Sequence, residues 1–249
     1  VAKKIWHIGC SGFHYKEWKG VFYPDKLPQS KWFDFYAQHF DTLELNVTFY
    51  RFPTVKNLRR WYYQAPDGFS LSAKAPRLIT HYKRFRDTER MMQDFYGSLR
   101  EGLAEKLGCV LIQLPPQMIY SKEQLDNILQ QTDPSFQNVI EFRHESWWKT
   151  SVQKMLAEKE ISFCGVSFPG IKKDDAVINL SRCYYRFHGV PKLFYSEYDN
   201  DFLETIYTQL QKSRKAKTIY IYFNNTASLA ALHNAKYFRQ LAGLPNLIS

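Results

Sequence analysis

Short runs rich in β-branched and aromatic residues recur eight times along the chain: KIWHIGC (4–10), TLELNV (42–47), FSLSAK (69–74), CVLIQL (109–114), NVIEFR (138–143), SFCGVS (162–167), CYYRFH (183–188) and TIYIYF (218–223). Helical patterns fill most of the gaps. SKWFDFYAQHF follows an N-cap candidate, Ser30, and spaces Trp32, Phe33, Tyr36 and Phe40 along one face. A second helix is expected from Thr54 to Pro66 and a third between Asp87 and Leu107. SKEQLDNILQQ opens on a capping box of Ser121 and Gln124. SVQKMLAEKE, DFLETIYTQLQK and ASLAALHNAKYFRQLAG supply the rest. Only FPGIKKDDAVINLSR (168–182) has no helical pattern, so the sixth crossover is expected to be irregular.

Strand–helix alternation repeated eight times in 249 residues favours an α/β (β/α)8 TIM-type barrel, a single domain over 1–249, rather than an open doubly wound sheet. GCSGF after the first strand is not G-x-G-x-x-G, so the dinucleotide-binding turn is missing.

Side chains alternate across a strand, so each run divides into two parities. One is apolar: Leu43 and Leu45, Ile112 and Leu114, Ile140 and Phe142, Tyr185 and Phe187, then Ile219, Ile221 and Phe223. These should face the helices. The other turns polar toward the C-terminal ends: Gly9 and Ser11, Glu44, Asn46 and Thr48, Ser72 and Lys74, Gln113, Glu141 and Arg143, Ser167, Arg186 and His188, Tyr222 and Asn224. In a barrel this parity points into the lumen at the C-terminal mouth, where sites of such barrels lie. Two readings follow, a ligand site or a buried ion network that plugs the barrel, because buried charges must be paired. Buried polar groups are costly and concentrate at functional sites, which favours the ligand site.

Lysine and arginine number 34 against 24 acids, a formal net charge of +10, which favours an anionic small molecule or nucleic acid as partner. Cations and aromatics interleave in the loops after the first, third and fifth strands: Trp18 and Tyr23; Arg77, His81, Lys83 and Arg84; Trp147 and Trp148. Such loops suit stacked rings and phosphate oxygens. Cys10, Cys109, Cys164 and Cys183 are far apart and lie in or beside apolar runs, as buried thiols of a cytoplasmic protein would. No apolar stretch approaches the length of a membrane span.

Glu44, Glu141 and His188 are the candidate catalytic groups, for acid/base chemistry of hydrolase or lyase type. Ser11, Trp18, Tyr23, Asn46, Tyr50, Lys74, Gln113, Arg143, Trp147, Arg186 and Asn224 are the candidate ligand-binding residues. Among them Lys74, Arg143 and Arg186 are expected to hold an anionic group, and Trp18 and Trp147 to stack on a ring. His144 has the opposite parity to Glu141. A non-catalytic nucleic-acid binder is one alternative. A glycosidase-like hydrolase is another, if the two glutamate carboxyls stand about 5–10 Å apart with room for a sugar. No H-E-x-x-H and no dense His/Asp cluster occurs, and the mouth cations would repel a metal, so no metal and no cofactor are expected.

IGCSGFHYKEWKGVFYP, FDTLELNVTFYRFP, SAKAPRLITH, IQLPP, IEFRHESWW, YYRFHG and IYFNN, in that order, resemble the DUF72 (YecE-like) family from about Ile8 to Leu241. The resemblance implies a TIM-type barrel related to the sugar-isomerase and endonuclease IV-like barrels, and no established activity. A nucleic-acid-binding role has been suggested for the family from the likeness of its cleft. The family pattern carries over onto Ser11, Tyr23, Glu44, Asn46, Tyr50, Lys74, Gln113, Glu141, Arg143, Trp147, Arg186, His188 and Asn224. This chain has Ser167 where many members carry an aspartate at the end of strand six, which weakens a metal reading further.

Overall fold

The computed structural model describes residues 3–245. Nine parallel strand segments pair in the order β6-β5-β4-β3-β2-β1-β9-β8-β7. They are β1 (Ile5–Ser11), β2 (Thr42–Leu45), β3 (Ser70–Lys74), β4 (Leu107–Gln113), β5 (Asn138–Glu141), β6 (Ser162–Phe163), β7 (Gly165–Ser167), β8 (Arg182–Phe187) and β9 (Thr218–Phe223). The two edge segments, β6 and β7, are consecutive in the chain with Cys164 alone between them. The sheet therefore curls into a nearly closed α/β barrel of the TIM type, and the eight sequence runs map onto it with the sixth split in two.

The split has a local cause. Asn179, from the irregular crossover, accepts the Phe163 N–H through Oδ1 at 2.9 Å, while Cys164 N still donates to Ile140 O at 2.9 Å. The crossover itself forms no helix, as its sequence implies, yet its backbone is held. Tyr185 OH donates to Asp174 O, and Ala176 N donates to Gln209 Oε1 at 2.8 Å. Satisfying backbone groups in this way lets a long coil stay ordered.

The helices are α1 (Trp32–His39), α2 (Val47–Tyr50), α3 (Val55–Gln64), α4 (Glu89–Leu103), α5 (Lys122–Gln130), α6 (Thr150–Glu158), α7 (Asn200–Lys212) and α8 (Ala230–Leu241). Side-chain oxygens of Thr54, Ser121 and Asp199 cap α3, α5 and α7. The capping box at Ser121 is only half made, because Gln124 Nε2 reaches out to Arg84 O at 3.3 Å. Helix α1 starts two residues after Ser30, which lies in a short 3-10 turn.

Strand parity divides the interior as the alternation requires. The outward set packs on helices: Trp6 stacks on Tyr207, and Phe187 stacks on Phe223 at 4.7 Å with Phe238 of α8 edge-on to both. The inward set fills the lumen in tiers. Tyr184, Tyr220 and Tyr222 form an aromatic tier, with Tyr222 OH bonded to Thr42 Oγ1 at 2.5 Å and Ser72 Oγ at 2.9 Å. At Gly9 the barrel is tight enough that a Cβ would lie 2.3 Å from the Thr42 carbonyl oxygen.

Candidate ligand site at the barrel mouth

Above the tyrosine tier the strand ends deliver charge. Arg186, at the end of β8, lies between two carboxylates. Its Nη1 donates to Glu141 Oε2 at 2.5 Å and its Nη2 to Glu44 Oε1 at 2.6 Å. Tyr184 OH donates to the second oxygen of Glu44 at 2.6 Å. Arg143 Nε pairs with the other oxygen of Glu141. All four ionic side chains are buried. Burial alone would raise the Glu141 carboxyl, but the guanidiniums of Arg143 and Arg186 overcome it and hold the group well below the usual range.

His188, one step further along the same parity, touches this network. Its Nε2 is 3.2 Å from Glu141 Oε1 and 3.1 Å from Arg143 Nη2, and its Nδ1 is 2.9 Å from Asn224 Nδ2. Burial and the two adjacent guanidiniums push its pKa well below the ordinary histidine value. His188 is therefore neutral at physiological pH.

Lys74, at the end of β3, stands apart from these pairs. Its Nζ lies 3.9 Å from the centroid of the Phe49 ring and has no hydrogen-bond or carboxylate partner among the described residues. The residue is 8 % exposed. Burial, then the Arg186 charge, lowers its pKa to about 7. The ring is put there by α2. Thr48 Oγ1 donates to Lys74 O at 2.6 Å and lies 3.0 Å from Leu45 O, so the turn after β2 is pinned to the end of β3. The strand run 42–47 thus stops at Leu45, and Asn46 and Thr48 belong to this turn rather than to a continuing strand.

A six-residue π-helical turn, Leu78–Lys83, follows β3, a form that recurs at functional sites. It carries His81, which is edge-on to Phe49 at 5.0 Å and whose pKa burial and the Lys74 charge lower to about 4. Arg77, at the head of the turn, lies over both Tyr50 and Tyr82, each 5.4 Å away. Arg143 lies over Phe168 at 3.9 Å. The three mouth cations other than Arg186 are therefore each set against an aromatic face.

Several expected ligand contacts are corrected. Trp18, Tyr23 and Trp147 are fully buried and saturated. Trp18 Nε1 donates to Ser228 O, Tyr23 OH to Phe13 O, and Trp147 Nε1 to Met118 O at 2.6 Å. Tyr23 stacks on Trp32 at 4.5 Å and Trp147 on Phe142 at 4.6 Å. These rings anchor the loops and offer no face to a ligand. Arg186 is likewise occupied by its two carboxylates. Its guanidinium also fills the space between Glu44 and Glu141, which removes the sugar site that the glycosidase-like reading requires. The guanidiniums of Arg143 and Arg186 thus favour an ionised Glu141 and a neutral His188. His144 caps the turn Glu145–Trp147 and binds Ser146.

The remaining predicted residues line or support the mouth. Ser11 Oγ receives Arg186 Nη2 at 3.5 Å, Gln113 Nε2 is 3.3 Å from His81 Nε2, and Asn224 abuts His188. Asn46 shares a cleft of about 300 Å³ with Glu44, Phe13, Tyr15 and Trp61, and its Oδ1 is buried without a partner among the described residues. Tyr50 is 66 % exposed at the rim. Sequence reasoning missed Tyr184, Phe49 and Phe168. Tyr184 was within reach, since it has the same parity as Arg186 two residues on. The partnering of Phe49 and Phe168 with cations depends on turn geometry and leaves no periodic trace.

Among the described residues no group of three or more His, Cys, Asp or Glu stands close enough to hold a metal ion, and no helix is long and apolar enough to cross a membrane. The four cysteines are buried free thiols.

Comparison with known proteins places this geometry in a family. A 26 % identical protein, UPF0759 protein YunF of Bacillus subtilis, aligns over 88 % of this chain and 89 % of its own length. UPF0759 protein YecE of Escherichia coli is 32 % identical over 80 residues, 32 % of this chain and 29 % of that protein. A crystal structure of a DUF72 family protein from Thermotoga maritima superposes with a TM-score of 0.86 at 25 % identity, covering 96 % of this chain and 99 % of that one. One from Enterococcus faecalis shares the fold at a TM-score of 0.79 and 20 % identity, covering 97 % and 99 %. The sequence model described as "Protein of unknown function DUF72" matches residues 7–247, and the chain belongs to that family.

Proposed function

We propose that the barrel mouth binds a phosphorylated or nucleic-acid-derived ligand, with Lys74 and the free edge of Arg143 receiving its anionic group. The observation that carries this reading is the unpartnered Nζ of Lys74. Three cations, Lys74, Arg143 and Arg186, face two carboxylates, and both carboxylates are already paired with arginines. An incoming anion supplies the missing counter-charge and draws a proton onto Lys74. Asn46 Oδ1 offers an acceptor to a ligand hydroxyl or amine, and exposed Tyr50 and Tyr82 offer ring faces at the rim.

Titration calorimetry with inorganic phosphate and with a 5′-phosphorylated dinucleotide tests this. Both should bind, and Lys74→Met should weaken binding about tenfold or more, the worth of a charge-assisted hydrogen bond. Unchanged affinity in Lys74→Met, or no binding of either probe, overturns the reading.

A second reading, a non-catalytic nucleic-acid binder, draws support from one feature. A groove of about 760 Å³ adjoins the Asn46 cleft through Val47 and Trp61 and is lined by Arg51 and Arg60. Its signature would be an affinity for single strands that falls steeply with salt and is insensitive to Glu44→Gln.

A further inference from the structure

We propose that Lys74 is a nucleophile that forms an imine with the carbonyl carbon of a phosphorylated aldehyde or ketone. The proposal rests on the anion reading above and narrows its ligand to one class.

The geometry has three parts. Lys74 ends a central barrel strand, so its Nζ is delivered to the mouth by the backbone and not by a mobile loop. No carboxylate lies within 4.0 Å of that nitrogen among the described residues, although Glu44 stands near the end of the neighbouring strand β2 and Glu141 ends β5, two strands away. Arg186 and Arg143 hold both carboxylates away from it. The face it does touch is the Phe49 ring, whose attraction for an ammonium offsets only part of the cost of burial. A buried lysine without a directly paired counter-ion and flanked by guanidiniums is the arrangement that activates an amine for carbonyl chemistry. Its pKa of about 7 leaves a large neutral fraction at physiological pH.

The groups facing it are Glu44, Glu141, Arg143, Arg186 and His81. Of these Arg143, together with Arg77 at the rim, remains to meet a phosphate once Lys74 is engaged. In the reaction the Nζ lone pair forms a bond to the carbonyl carbon as the C=O π bond breaks, and the nitrogen gives up one proton as the oxygen takes one, giving a neutral carbinolamine. Loss of that hydroxyl with a second proton releases one water and leaves the protonated imine. One neutral amine, one carbonyl and one proton become one iminium and one water, with no oxidant or reductant involved.

Pyridoxal 5′-phosphate serves as probe, being an aldehyde that carries a phosphate. The protein is treated near pH 7 with a limiting amount of it and cyanoborohydride, and the reduced adducts are mapped by peptide mass spectrometry. A lysine of ordinary pKa is neutral to only about 0.04 % at pH 7. Lys74 should therefore be labelled at least about ten times faster than exposed lysines such as Lys56 and Lys154, even after its restricted access is counted. Inorganic phosphate should suppress that labelling, unphosphorylated pyridoxal should label Lys74 more slowly, and Lys74→Arg should lose the adduct while still binding phosphate. If phosphate binds with the dependence on Lys74 expected above and Lys74 is labelled no faster than Lys56, the nucleophile proposal is overturned and the anion reading survives. If Lys74 is labelled fast, with phosphate and the probe's own phosphate group making no difference, the anion reading falls and takes the phosphorylated ligand class with it. The wild-type map decides both points even if Lys74→Arg does not fold.

Discussion

Arg186 Nη2 donates to Glu44 Oε1 at 2.6 Å inside the lumen, and the same guanidinium reaches Glu141 with its other nitrogen. Glu44 and Glu141 come from strands on opposite arcs of the barrel, so a single buried side chain ties β2, β5 and β8 together. Removing one partner of a buried ion pair leaves an uncompensated charge and costs about 3–5 kcal/mol. Arg186→Met leaves Glu44 buried without a cation and Glu141 with Arg143 alone. It should lower the melting temperature by about 6–20 °C for a chain of this size. Adding Glu44→Gln and Glu141→Gln to the same variant should recover part of the loss. A melt within about 2 °C of wild type for Arg186→Met alone would show the triad to be energetically idle.

Trp147 and Tyr50 separate packing from recognition. Trp147 is sealed against Phe142, with its indole N–H bonded to Met118 O, so Trp147→Ala should cost about 3–5 kcal/mol in a denaturant melt. Tyr50 is largely exposed, and Tyr50→Ala should change stability by no more than about 0.5 kcal/mol while weakening a ring-bearing ligand. The opposite pattern, a stable Trp147→Ala with lost binding, would restore Trp147 to the ligand site.

The contrast between these residues shows where the sequence could be read and where it could not. Strand parity carries three-dimensional information, because alternate residues must go to opposite faces and only one face meets the helices. Glu44, Lys74, Glu141, Arg186 and His188 were placed at one mouth on that ground, and the barrel brings them together. Aromatic residues in loops carry no such periodicity. Trp18, Tyr23 and Trp147 have the composition of a stacking platform, but each has a polar atom that a nearby carbonyl satisfies and a large surface that gains by burial. The pairing of charges was equally hidden. Counting three cations against two carboxylates is possible from the chain, but which cation is left over depends on side-chain reach, and it is Lys74.

The acid limb of stability should belong to buried His188 and half-buried His81 first. His188 is held neutral in the fold, and His81 is lowered to about 4, whereas an unfolded histidine protonates near 6.5. Between those values the unfolded chain binds more protons, so stability is full above about pH 6.5 and falls with pH below it. Each histidine contributes a slope of up to about 1.4 kcal/mol per pH unit. Melts from pH 7 to 4.5 should flatten by one proton's share in His188→Gln and by another in His81→Gln. Glu141 acts lower. Its folded pKa lies below the unfolded value of about 4.3, so its contribution is intact above that value and is lost as pH falls through the folded one. Slopes that neither substitution alters would place the acid sensitivity elsewhere.

Lys74 should act on stability in the opposite pH range. Its folded pKa of about 7 lies below the unfolded value of about 10.4, so the unfolded chain binds the extra proton between the two. The cost of burying the ammonium is fully present below pH 7 and disappears as pH rises toward 10.4, a span worth up to about 4–5 kcal/mol by linkage. Lys74→Met has no ammonium to bury and keeps contact with Phe49. It should therefore melt above wild type at pH 6, by a margin that shrinks steadily toward pH 10. Phosphate should narrow the gap at pH 6 by stabilising wild type alone, since a ligand that binds the protonated lysine offsets the cost of burying it. A destabilised Lys74→Met at pH 6 would mean that the ammonium already has a partner in the free protein, and the mouth would then be a closed ion network with no vacancy for an anion.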